Sequence, residues 1–172
     1  NKIDLPSALP NLERIKKEFP HLMIVPCSAD AELTLKTAAK AGLISYIPGE
    51  NKFEITGSLN EKQKEALEYI DQNVLKKFGS TGVQQVLNAA VLDLLNYIAL
   101  FPVALGKLTD QFGRVLPDCF LMPSGTTALD FAAKIHSDLA KNFVAAIDMK
   151  TKRMVGKEHK LKHRDVIEII TR

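Results

Sequence analysis

Asn1-Lys2-Ile3-Asp4 places a carboxamide, a long cation and a carboxylate within four residues, and Cys27-Ser28-Ala29 adds a hydroxyl and a small residue further along. Guanine presents N1–H and N2–H donors beside an O6 acceptor, and one fixed carboxylate can accept both donors in a charge-assisted bidentate pair. Asp4 suits that role. Adenine would leave such a carboxylate unpaired, and a site built from polar groups rejects a base that cannot match them. Asn1 can bridge the base edge and neighbouring loops through its amide. The Lys2 methylenes can cover a purine face. Ser28-Ala29 can offer a backbone N–H to O6. Asn1, Lys2, Asp4, Ser28 and Ala29 are therefore the candidate nucleotide-binding residues. The plain alternative for a lone Asn-Lys-x-Asp is a solvated polar turn. No Gly-x-x-x-x-Gly-Lys-Ser/Thr phosphate loop occurs in the 172 residues. The expectation is a C-terminal piece of a larger protein, unable by itself to hold nucleotide tightly or to hydrolyse it, because phosphoryl transfer depends on such positioning groups.

These residues need elements to hold them. Pro10–Phe19 has Leu12, Ile15 and Phe19 at helical spacing, and Leu22–Pro26 is a compact apolar run typical of a buried strand. Both motifs then fall at the carboxyl rim of a doubly wound α/β sheet, where ligands bind. Glu32–Ala41 reads as a helix closed by Gly42, Pro48–Asn51 as a turn, and Phe53–Ile55 as a short strand or loop. Ser58-Leu59-Asn60-Glu61 and Thr81-Gly82-Val83-Gln84 have capping-box spacing. The first helix carries Ala66, Leu67, Ile70, Val74 and Phe78 on one face and ends at Gly79. The second carries Val83, Val86, Leu87, Ala90, Val91, Leu94 and Leu95. The pair predicts an antiparallel helical hairpin with core-facing stripes.

The last third reads as a small α+β roll. Strands are expected at Ile98–Val103, Cys119–Met122, Phe143–Ile147, Met154-Val155 and Val166–Ile170, with a helix from Thr127 to Lys141 and a turn-rich Leu108–Pro117. Three domains follow: residues 1–57, 58–96 and 97–172.

Hydrophobic content of 46% and charged content of 25% exclude a disordered or low-complexity chain. The apolar run Val86–Leu105 is broken by Asn88, Asp93, Asn96 and Pro102 and is no membrane span. Cys27 and Cys119 have no metal spacing and read as free or buried thiols, consistent with a cytoplasmic location. The net charge of +3 is uneven, since residues 149–172 carry +5. Lys150, Lys152, Arg153, Lys157, Lys160, Lys162 and Arg164 form a candidate nucleic-acid-binding segment. Lys also protects sheet edges, so a solvated edge is the other reading. His136 reads as a capping or packing residue, and His159 and His163 lack metal-site partners.

Asn1–Asp4 with Cys27-Ser28-Ala29-Asp30-Ala31-Glu32-Leu33 resembles the end of the GTPase domain in Obg-like, YchF-related proteins. Lys76–Val83 resembles archaeal members of that group. Leu108–Gly113, Phe120–Met122, Gly125–Asp130 and Ile135–Leu139 resemble a TGS domain, the ubiquitin-like β-grasp module also found in threonyl-tRNA synthetases and stringent-response enzymes. The resemblance covers nearly the whole chain. It implies a partial P-loop GTPase (Rossmann-like) end, a helical pair and a β-grasp domain. It further implies GTP as the ligand, with Mg²⁺ only in the intact protein, and GTP hydrolysis by that parent. The partner implied is a ribosome, ribosomal RNA or a translation factor, with no membrane involved. Many YchF-type proteins replace the last Asp of the motif by Glu and prefer ATP, so Asp4 points to GTP. A non-enzymatic RNA- or ribosome-binding module is the alternative, and a protein-only adaptor the third reading.

Overall fold

The computed structural model describes residues 1–104, 106–110, 112–116 and 118–172. Leu105 of the apolar run, Gln111 of the TGS-like match and Pro117 of the turn-rich stretch lie outside the described residues. The chain divides into two compact units, Asn1–Ala90 and Val91–Arg172.

In the first unit, α1 (Ala8–Glu18) follows the Asn1–Asp4 loop and buries none of its residues. The expected strand at Leu22–Pro26 does not form: the segment has no ladder partner, and Leu22 and Met23 are exposed. An apolar run becomes a strand only beside another strand, and no described strand lies alongside it. Helix α2 (Ala29–Lys40) is capped by Ser28, whose Oγ accepts from the Ala31 N–H at 3.3 Å. Two short strands, β1 (Ile44–Ser45) and β2 (Glu54–Ile55), pair antiparallel. Helix α3 (Glu61–Ile70) is capped by Asn60 and Gln63 rather than by Ser58 and Glu61. The Asn60 side chain reaches the Gln63 N–H and the Gln63 side chain answers, so the capping box starts two residues later than its sequence spacing suggests. The helix widens into a π-helical segment, Asp71–Leu75, and ends in α4 (Lys76–Phe78) at Gly79. Leu67, Ile70, Val74 and Leu75 join Ala31, Leu35 and Ile44 in one buried cluster. Residues 58–90 therefore share a core with α2.

The second expected capping box does not form either. Helix α5 (Val83–Asn88) starts at Gly82, which has no side chain to cap it, and the Thr81 hydroxyl donates to Glu32 Oε2 at 2.6 Å. Neither α5 nor the π-helical segment Ala89–Leu94 buries any residue, so the apolar stripe does not close a hairpin core. Tyr46 Oη donates to the same Glu32 oxygen at 2.8 Å. Burial, then the Glu32 hydrogen bond, pushes the Tyr46 phenol up to about 12.

The second unit is a five-stranded sheet of order β4-β3-β7-β5-β6. Its strands are β3 (Tyr97–Val103), β4 (Phe120–Pro123), β5 (Phe143–Asp148), β6 (Arg153–Val155) and β7 (Asp165–Thr171). The first and last, β3 and β7, pair parallel with Leu100 opposite Asp165, and the other pairs are antiparallel. The expected Thr127–Lys141 helix is two helices, α6 (Ala128–Ile135) and α7 (Ser137–Lys141), separated by His136 in an extended conformation. His136 caps α7, its Nδ1 accepting from the Asp138 N–H at 3.2 Å. Phe131 of α6 is fully buried against Phe120, Leu100, Ala146 and Ile167. Helix α6 packed on a mixed sheet whose first and last strands pair parallel is a β-grasp arrangement. A reciprocal capping box fixes the start of α6: the Thr127 N–H and hydroxyl both donate to Asp130 Oδ2, and the Asp130 N–H donates to Thr127 Oγ1.

Two outcomes follow from these local bonds. The Thr127 hydroxyl, and after it the Thr127 N–H, holds the Asp130 carboxyl below its ordinary value of 3.8. A carboxyl lowered by folding stabilises the fold fully above its unfolded pKa, and that contribution is lost as the pH falls through the folded one. Thr127→Ala should therefore cost about 1 kcal/mol at neutral pH in denaturant melts, with the gap narrowing in acid. A gap that does not change with pH would remove the carboxylate from the account. Tyr46 has the opposite sign: its raised pKa adds stability below pH 10, lost as the pH rises through about 12. In ultraviolet titration, Tyr46→Phe should delete an ionisation near pH 12. Deleting one near the ordinary phenol value instead would contradict the Glu32 bond.

Candidate functional site

The structure brings the two sequence motifs together through the backbone. The Ile3 N–H donates to the Cys27 carbonyl at 3.1 Å, and Ile3 is buried. Asn1 Oδ1 accepts from the Lys2 N–H at 2.8 Å and from the Ala29 N–H at 3.0 Å. One carboxamide oxygen thus ties the loop that starts at Asn1 to the first residue of α2. The first turn bends sharply, with Lys2 at φ +63°, a conformation uncommon for a side-chain-bearing residue.

Asp4 is half-buried. Its backbone carbonyl accepts from Tyr69 Oη at 3.1 Å. Its Oδ1 is sealed from solvent and has no hydrogen-bond partner among the described residues. An unpaired buried carboxylate oxygen is costly and signals either strain or a donor supplied from elsewhere. Guanine N1–H and N2–H are donors of the kind this oxygen lacks. With Oδ1 sealed, a base would reach this carboxylate only if the loop opened.

The expected free N–H for guanine O6 is not free. Ala29 N–H is taken by Asn1 Oδ1, and Ser28 N–H donates to the Thr81 carbonyl at 2.8 Å. A base O6 can use the Ala29 N–H only by sharing or displacing Asn1. The Asn1–Ile3 backbone also borders a groove of about 300 Å³ against α1 and Ile24–Cys27. That groove is lined largely by apolar side chains and does not include Asp4, so the polar edge of a base does not match it.

Sequence reasoning missed the residues that hold Ser28 in place. Glu32, Thr81 and Ser28 are all buried, and Thr81 is 0% exposed. Gly82 has φ +79°, and a Cβ there would collide with the Pro26 carbonyl and lie 2.9 Å from Cys27 Cα. The only sequence signal was the Gly79-Ser80-Thr81-Gly82 turn, and Thr81 reads there as a helix cap.

The basic residues lie on two exposed loops of the second unit. Lys150 and Lys152 sit in the β5–β6 turn with Arg153 opening β6 at the sheet edge, and Lys157, Lys160, Lys162 and Arg164 follow in the β6–β7 loop. None of the seven forms an ion pair among the described residues. Leu161 anchors the second loop by burial, and its N–H donates to the Thr126 carbonyl at 2.9 Å. His163 is used structurally, its Nδ1 accepting from the Ala99 N–H at 3.2 Å. No helix is long and apolar enough to cross a membrane, and no group of three or more His, Cys, Asp or Glu gathers as a metal centre among the described residues.

Residues 1–104 match the family model for the Obg-like GTPase YGR210-like, G4 motif-containing domain, and residues 106–171 match the TGS domain. An uncharacterized GTP-binding protein of Methanocaldococcus jannaschii is 47% identical over 99% of this chain and 44% of its own length. An uncharacterized GTP-binding protein of Schizosaccharomyces pombe is 37% identical over 74% of this chain and 34% of its own. The chain thus spans less than half the length of these curated relatives. The crystal structure of a GTP binding protein from Pyrococcus horikoshii superposes with a TM-score of 0.69 at 42% identity, over 99% of this chain and 44% of that one. The YchF GTPase of S. pombe shares the fold at 19% identity and a TM-score of 0.52. With one model matching well over half of its residues and the TGS model matching the rest of its β-grasp unit, this chain belongs to the Obg-like GTPase family of the YGR210-like type.

Proposed function

We propose that this chain supplies the guanine-recognition edge of a GTP-binding protein, and that the intact protein hydrolyses GTP. The observation that carries the reading is the joining of the Asn1–Asp4 loop to Ser28-Ala29, through the Asn1 Oδ1 bond to the Ala29 N–H and the Ile3 N–H bond to the Cys27 carbonyl. Asp4 would accept the two guanine donors, Lys2 would cover a ring face, and Asn1 and Ala29 would meet O6. The Mg²⁺ and phosphate chemistry would come from parts outside these residues. The relatives named as GTP-binding proteins support the ligand class. In the full-length protein, Asp4→Ala should weaken GTP roughly 100-fold while leaving ATP nearly unchanged, because two charge-assisted bonds are lost. Asp4→Asn should shift preference toward xanthosine triphosphate, whose C2 carbonyl accepts from an amide. A GTP preference unchanged in both would sink the role of Asp4.

The partner-binding half of the proposal rests on the seven exposed cations without ion-pair partners in the β5–β6 and β6–β7 loops. A phosphate backbone, such as ribosomal RNA, would be neutralised there in a cytoplasmic, translation-linked role. Changing Lys150, Lys152, Arg153 and Lys157 together to Ala should weaken ribosome co-sedimentation and flatten its salt dependence. Unaltered binding would leave the segment a solvated sheet edge.

A further inference from the structure

The Ser80-Thr81-Gly82 turn lies roughly fifty residues from the base-recognition loop in sequence, yet it is built into it. The Ser28 N–H donates to the Thr81 carbonyl at 2.8 Å. The Thr81 hydroxyl donates to Glu32 Oε2 at 2.6 Å, one turn into the helix that Ser28 caps. Tyr46 holds that same oxygen from the other side at 2.8 Å. The turn is itself locked, since Ser80 Oγ accepts from the Gly82 N–H at 3.1 Å and Ser80 is buried. Gly82 presses its bare Cα against Pro26 and Cys27, leaving no room for a side chain. The loop is thus clamped from both ends, by Thr81 on Ser28 and by Gly82 on Pro26-Cys27.

We infer that Thr81 is a positioning residue for purine selectivity: held by Glu32, it sets where the Cys27-Ser28-Ala29 loop stands relative to Asp4. This rests on the guanine reading above. The Ala29 N–H and the Asp4 carboxylate belong to different segments, and discrimination requires both to meet one rigid base at once. A displacement on the order of 1 Å between such groups costs a large factor in the interaction they make together. Thr81 touches neither base nor phosphate; it acts through Ser28. The alternative is that the clamp only stabilises the fold, in which case its loss would weaken GTP and ATP alike.

The test uses the full-length protein, with GTP and ATP affinities measured by calorimetry and Ser28 amide exchange followed by mass spectrometry. Thr81→Val keeps the volume and removes the donor to Glu32. The expected result is a GTP-over-ATP ratio reduced roughly tenfold, the size of one lost hydrogen bond to a charged group, with faster exchange at Ser28 and recovery of both in Thr81→Ser. If Thr81→Val fails to fold, Glu32→Gln is measured in its place and read by the same outcomes. A folded variant whose ratio is unchanged, or one that loses both nucleotides equally, overturns the inference. Asp4→Asn is the companion arm. A shift toward xanthosine triphosphate there, with an unchanged ratio in Thr81→Val, leaves the guanine reading standing and removes only the positioning role. No shift in Asp4→Asn brings down both.

Discussion

A wholly buried carboxylate needs donors, and among the described residues of the first unit the acid so buried is Glu32. It sits in the first turn of α2, 6% exposed, with two hydroxyls on one oxygen. Leaving it unpaired would cost more than the few hydrogen bonds around it supply. Three separate stretches are therefore drawn to one point: the α2 start, the segment after β1 through Tyr46, and the turn after α4 through Thr81. The apolar cluster of Leu35, Ile44, Leu67 and Val74 lies under the same elements. Packing gives this unit its bulk of stabilisation, and Glu32 gives it register.

That register has a chemical consequence at the loops above it. Ser28 caps α2, its N–H is committed to Thr81, and the neighbouring Ala29 N–H is committed to Asn1. Among the buried side-chain polar atoms of the described residues, Asp4 Oδ1 stands without a partner.

The second unit depends on a different constraint. Its first and last strands, β3 and β7, lie side by side and parallel, so the sheet cannot close until the whole unit has been made. Phe131 of α6 fills the space over that junction. The β5–β6 turn is held by the Asp148 carboxylate, which accepts from the Lys150 N–H and the Thr151 hydroxyl, and the β6–β7 loop by buried Leu161 and the Ala128 and Leu129 N–H bonds to the His159 and Lys157 carbonyls. Their cations carry no packing duty and remain available to solvent or to a phosphate.

Sequence alone determined what local chemistry controls. The 3.6-residue stripe of α3, the alternating or continuous apolar runs of β3, β5 and β7 and the Thr127–Asp130 cap all act over a few positions, and they read correctly as elements. Tertiary structure decided everything that required a partner far along the chain. Leu22–Pro26 has the composition of a strand and no ladder to join. The α3 cap moved to Asn60 because Gln63, not Glu61, meets it across the first turn. His136 broke one expected helix into two. Thr81, suited by spacing to cap α5, donates its hydroxyl to the buried Glu32, and the helix starts one residue later at Gly82. The five candidate nucleotide residues were visible from their types. The bonds that hold Ser28 were not, because a hydrogen bond between residues 32 and 81 leaves no pattern in sequence until the chain has folded to make it.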